Sequence, residues 1–137
     1  KGVGVLIAAP HHIENSNYMP GPGEVAAAVE ELNRCLKKAN VDIAVAPGME
    51  VFASPDLPDR VARGELMTLN NSRYLLVEFP VSGELPVYTE DLVFRLRIQG
   101  ITPVIAHPER CSGFSADIGR LAKLMRRGAL VQLNTGS

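Results

Sequence analysis

Four short apolar runs in this chain each end in an imidazole or a carboxylate beside a proline or glycine. No other feature constrains the fold as much. The runs are Val5-Leu6-Ile7-Ala8-Ala9-Pro10-His11-His12, Ile43-Ala44-Val45-Ala46-Pro47-Gly48-Met49-Glu50, Leu75-Leu76-Val77-Glu78-Phe79-Pro80 and Val104-Ile105-Ala106-His107-Pro108-Glu109-Arg110. The polar groups are separated by 50−11 = 39, 78−50 = 28 and 107−78 = 29 residues, one strand–helix unit per step. In a parallel α/β barrel the C-terminal strand ends meet on one rim, where active sites are built. The spacing therefore predicts that His11, Glu50, Glu78 and His107 lie within roughly 10 Å of a common centre, the reach of a metal cluster.

The segments between the runs carry helix punctuation. Pro22 suits a first turn, and Val25, Ala28, Val29, Leu32 and Leu36 recur as one stripe expected to face the core, with Lys37 and Lys38 in the last turn. A shorter helix is expected from Leu57 to Arg63, ending at Gly64. Another should be capped by Thr89 and stopped by Gly100, with Leu92, Val93 and Leu96 inward. A last one should be capped by Asp117 or Ser115, with Ile118, Leu121, Leu124 and Met125 inward and Gly128 as its stop. Strands fall at about Val3–Ala9, Ile43–Ala46, Tyr74–Phe79, Thr102–Ala106 and Leu130–Leu133. Apolar runs without strict alternation suit parallel strands buried on both faces, so the class is α/β with about five βα units. Five units cannot close a barrel whose usual length is about 250 residues. The chain is therefore read as one domain over 1–137, the central portion of a longer barrel.

Composition narrows the partners. A net charge of −1 and seven aromatics offer neither a field for nucleic acid nor a base-stacking platform. Arg95, Arg97, Arg126 and Arg127 read as solvated helix faces. The longest apolar stretch, Val3 to Pro10, is far short of the ~20 residues that span a bilayer, so no membrane insertion is expected. Cys35 and Cys111 form no disulfide framework and no C-x-x-C pair, which favours a reducing cytoplasm.

A set of two imidazoles and two carboxylates suits Mn²⁺, Zn²⁺ or Fe²⁺ better than Ca²⁺, and bridging carboxylates can hold two or three ions. Of the adjacent pair, His11 is taken as the ligand. His12 is left as a supporting or substrate-side residue, since side chains alternate along an extended segment. Arg110, three residues past His107, either holds a phosphate oxygen during transfer or pairs with Glu109 in the loop. Thiolate phosphatase chemistry is excluded. The residue six beyond Cys35 is Val41 and that six beyond Cys111 is Asp117, where a C-x5-R loop needs arginine. H-E-x-x-H, G-x-S-x-G and a phosphate-binding loop ending in Lys-Ser/Thr are absent.

Ala9-Pro10-His11-His12, Pro47-Gly48-Met49-Glu50, Arg73-Tyr74-Leu75-Leu76-Val77-Glu78-Phe79-Pro80, Pro103 to Arg110 and Gly128-Ala129-Leu130-Val131-Gln132-Leu133 together resemble the polymerase-and-histidinol-phosphatase (PHP) superfamily. Glu65-Leu66-Met67-Thr68-Leu69-Asn70 and Tyr88-Thr89-Glu90-Asp91-Leu92 are similar to its branch of bacterial manganese-dependent tyrosine-protein phosphatases, encoded with capsule and exopolysaccharide genes. The resemblance covers essentially the whole chain. It implies a distorted β/α barrel with a cluster of usually three metals, and action on phosphotyrosine of a bacterial tyrosine kinase that controls polysaccharide assembly. It also implies that His11, Glu50, Glu78 and His107 are ligands, with Glu50 bridging, and that Arg110 is catalytic. The branch's opening His-x-His and closing Asp-x-His are missing and are expected beyond the chain's ends. Two other readings stand beside this one: a PHP phosphoesterase for histidinol phosphate or a nucleotide, and a non-catalytic module that binds a kinase tail.

Overall fold

The computed structural model describes residues 2–136. Its first extended stretch is broken into β1 (Val5–Ala8) and β2 (His11–His12), and its second into β3 (Ala44–Pro47) and β4 (Glu50–Phe52). β5 (Tyr74–Glu78), β6 (Thr102–Ala106) and β7 (Leu130–Gln132) follow. β1 pairs with β3, while β2, β4, β5, β6 and β7 form a second sheet in that order. Every pairing is parallel, and successive units are neighbours, as in a stretch of (β/α) barrel wall.

The sequence reading ended the first two strands at Ala9 and Ala46 and did not expect β2 or β4. Pro10 has no N–H to give to a ladder, and the chain loosens around it. Pairing nevertheless carries across both breaks, because Gly48 N–H donates to the Ala8 carbonyl at 2.9 Å and Glu50 N–H to the Pro10 carbonyl at 3.0 Å. At Gly48 a Cβ would stand 2.9 Å from Leu69 Cδ2 and 3.0 Å from Ile7 Cγ2. The bare backbone admits a 3₁₀ turn, Leu69–Asn71, against this crossing. Beside it, the side chain of Asn33 donates to the Val45 carbonyl and accepts from the Val45 N–H, both at 2.8 Å. An amide thus satisfies one residue of the β3 edge.

The helices are α1 (Pro22–Lys38), α2 (Leu57–Ala62), α3 (Thr89–Ile98), α4 (Ser112–Ala116) and α5 (Ile118–Arg126). Their burial departs from the expected stripes in two helices. In α1 only Val25 and Val29 are buried, whereas Ala28 and Leu32 are exposed. In α5 Leu121 and Leu124 are buried while Ile118 and Met125 are exposed. Asp117 does cap α5, accepting from Arg120 N–H at 3.1 Å. Thr89 is the first residue of α3 rather than its cap; it is fully buried, with its hydroxyl donating to the Pro86 carbonyl at 2.6 Å. The core lies between the strands and the five helices, around Met49, Val51, Leu75, Leu96, Ile105 and Leu124. Phe79 and Phe114 close its rim end, edge to face with centroids 5.5 Å apart. No helix among the described residues is long and apolar enough to cross a membrane.

An ion pair joins α3 to α5. The Arg120 guanidinium donates two 2.8 Å hydrogen bonds to the Glu90 carboxylate and pulls its pKa down to about 2 from the usual 4.5. A depressed carboxylate stabilises the fold fully above its unfolded value and progressively less as the pH falls through the folded one. Stability should therefore drop between about pH 4.5 and 2 in the native protein, and Glu90→Gln should flatten that slope. At pH 7 the substitution should cost about 1–3 kcal/mol, the range for a hydrogen bond to a charged group, measurable by urea unfolding.

Candidate metal centre

The parallel ladder sets three of the four expected ligands. His11 is in register with Glu50, so both side chains leave the sheet on the same face at the same level. Glu78 is in register with Phe52, two residues above Glu50, and an even offset keeps it on that face. His107 is different. Register continued past Val77↔Ile105 would set Ala106, not His107, beside Glu78. A residue at 107 in strand conformation would point away. Instead β6 stops at Ala106 and His107 takes φ 29°, ψ 56°, a left-handed conformation that is strained for a non-glycine residue. The turn brings its ring back over the carboxylates, and its N–H is directed to Gln132 Oε1 at 3.4 Å.

The four side chains meet at this rim. His107 Nε2 lies 3.0 Å from Glu50 Oε1 and 3.3 Å from Glu78 Oε1. His11 Nδ1 lies 3.5 Å from Glu78 Oε2 and 3.9 Å from Glu50 Oε2. Ligand atoms of His11, Glu50 and Glu78 all fall within 4.8 Å of one another. Each carboxylate thus gives one oxygen to each imidazole. Donors about 2.0–2.2 Å from one ion stand roughly 3–3.5 Å apart, so the observed spacing fits a first-row divalent cation. Two adjacent carboxylates repel each other where water is scarce, and a cation there relieves that repulsion. Glu50, Glu78 and His107 are 11–15% exposed in their side chains, whereas His11 is 46% exposed, so the site opens on its side.

His12 faces the other way and is buried. Its Nδ1 meets the Pro20 carbonyl at 3.0 Å and its Nε2 meets Arg60 Nη2 at 2.9 Å. Neither nitrogen contacts the rim cluster, so the substrate-side reading of His12 does not hold. Arg110 is exposed at the end of a 3₁₀ turn, Pro108–Arg110, whose Pro108 is buried, and its N–H donates to the His107 carbonyl at 2.9 Å. Its turn-mate Glu109 accepts from Asn134 N–H at 3.0 Å. The residue that sequence reasoning missed is Arg60. It lies 48 positions from His12, and no local pattern ties the two.

The whole chain, residues 1–137, matches the family model for capsular polysaccharide synthesis proteins CpsB/CapC. The chain belongs to the CpsB/CapC family. It is 36% identical to the tyrosine-protein phosphatase YwqE of Bacillus subtilis over 137 residues, all of this chain and 53% of that protein. It is 27% identical to the tyrosine-protein phosphatase CpsB of Streptococcus pneumoniae over 136 residues, 98% of this chain and 55% of CpsB. A solved structure of these proteins, described as unique metal-dependent tyrosine phosphatases, superposes with a TM-score of 0.89 at 35% identity, covering 95% of this chain and 52% of that one. The CpsB/CapC chain thus spans about half the length of the curated relatives it matches.

Removing one carboxylate charge tests the centre without altering its shape. In the full-length protein, Glu50→Gln should keep the fold while weakening Mn²⁺ binding by more than the ~10–100-fold typical of losing an outer-shell partner. Titration of bound manganese, with circular dichroism as the fold check, measures both; wild-type affinity would remove Glu50 from the site.

Proposed function

We propose that the rim holds a cluster of two or three divalent ions, manganese first, and that the full-length protein is a metal-dependent phosphotyrosine-protein phosphatase. One observation carries this reading: two carboxylates lie between two imidazoles, each presenting one oxygen to each ring. Such a donor set would hold divalent ions, and those ions would supply Lewis acidity. The relatives' names supply the substrate class, since they are tyrosine-protein phosphatases. By that kinship the phosphotyrosine belongs to a bacterial tyrosine kinase acting in capsule or exopolysaccharide synthesis. Two free thiols, one of them exposed, fit a cytoplasmic setting.

When bound, the ions would supply Lewis acidity and a more acidic water. The chain's own residues do the rest. His11 and His107 would hold the ions with their ring nitrogens, and the rim is open on the His11 side. Glu50 and Glu78 would hold them with their carboxylates and balance their charge. Arg110, exposed on the turn that begins at His107, offers a guanidinium to the equatorial phosphate oxygens as charge develops on them. No side chain need protonate the leaving group, because tyrosine's pKa of about 10 makes phenolate a fair one.

The full-length protein should release phosphate from a phosphotyrosine peptide with Mn²⁺ and lose that activity in EDTA. Faster turnover of histidinol phosphate or a nucleotide would move the substrate assignment elsewhere in the superfamily. Arg110→Ala should retain bound manganese while kcat falls roughly 10²–10³-fold, the worth of an oxyanion contact. Unchanged kcat would return Arg110 to a structural role in its loop.

A further inference from the structure

We propose that Arg60 is a positioning residue, one that selects His11 rather than His12 as the imidazole facing the metal centre. The proposal rests on the metal-centre reading above. The two histidines are adjacent and chemically identical, and strand alternation sends one to each face of the sheet. A one-residue slip would exchange them. β2 has only two paired residues, His11↔Glu50 and His12↔Val51, so the ladder alone holds this choice weakly.

The rear face supplies the missing preference. There the His12 ring has a carbonyl at one nitrogen and a guanidinium at the other, 3.0 and 2.9 Å away. A carbonyl can only accept and a guanidinium can only donate. The rear site therefore fits one neutral tautomer, protonated at Nδ1, and fills both of its hydrogen-bonding positions. A cation has no place at Nε2, because the Arg60 charge already stands there. Arg60 is itself held, with its side chain 11% exposed: Nη1 meets Glu14 Oε1 at 2.5 Å and Nε meets Glu65 Oε2 at 3.3 Å. Glu14 follows β2 and Glu65 follows α2, so the guanidinium ties the loop beyond the histidines to that helix. His12 is thereby anchored behind the sheet, and His11 is presented in front of it.

The test is carried out on full-length protein with Mn²⁺ as the only probe. Arg60→Met keeps bulk but removes the donors. It should raise the Kd for Mn²⁺ about 10–100-fold, the effect of losing a partner that orients a ligand. Its kcat should fall more than its KM changes. In ¹⁵N-labelled protein without added metal, the His12 ring should lose its single-tautomer pattern in Arg60→Met. Arg60→Lys, which restores one donor, should give an intermediate Kd. Asp59→Asn breaks the ion pair of α2 with Arg95 without touching Arg60 or His12, and should stay within about fivefold of wild type, the worth of an exposed pair. A Kd for Arg60→Met within that margin, or equal weakening by Asp59→Asn, overturns the proposal. If Arg60→Met fails to fold, a wild-type Kd in Arg60→Lys overturns it. His11→Ala, measured alongside, separates the two failures. Wild-type affinity in that variant would remove the metal centre itself, and this proposal with it. Loss there beside wild-type affinity in Arg60→Met removes only the positioning role.

Discussion

Parity along the parallel ladder is the constraint on which the rim depends. Strand side chains alternate with a period of two, so every offset between neighbouring strands must be even if their polar ends are to share a face. The step from His11 to Glu50 is zero and the step from Glu50 to Glu78 is two. Two residues rise about 6.6 Å along a strand, and strands that tilt against a barrel axis take up such a stagger as they go round the wall. The third step is odd. Backbone strain at His107 resolves it, in a conformation that costs of order 1–3 kcal/mol. Such strain persists only where surroundings hold it, and here Pro108 behind the residue and the 3₁₀ turn beyond it do so.

The carboxylates explain why that cost is tolerable. Glu50 and Glu78 share a poorly hydrated rim, where like charges oppose folding. Two imidazoles within 3.0–3.9 Å give them hydrogen-bonding partners, and a cation would give them countercharge. Binding and folding are coupled in this way wherever ligands are pre-gathered.

Much of this architecture was legible in the sequence because it rests on local punctuation. Pro22 and Gly100 mark helix ends whatever the tertiary context, and the apolar runs end where the strands do. The convergence of His11, Glu50 and Glu78 followed from strand order, whereas that of His107 did not. What escaped reading was set by residues distant in the chain. Leu32, Ile118 and Met125 fit helical stripes, yet they are exposed because what packs on a helix decides how much of its stripe is covered. The close approach of Leu69 to Gly48 joins residues 21 positions apart, which no local pattern marks. The orientation of His12 depends on Arg60, and the ring of His107 on a turn that a strand pattern cannot encode.

Asn33 gives the fold a property that neither its helix nor its sheet has alone. By taking both backbone groups of Val45, one amide acts as a strand a single residue long. The outer side of β3 is thereby closed to any other extended chain, which is how proteins blunt an edge that could template aggregation. The closure also works as a latch. Lifting α1 would strand an N–H and a carbonyl at a half-buried position, at about 1–3 kcal/mol for each group left unpaired. The helix and the broken strand beneath it therefore open together or not at all.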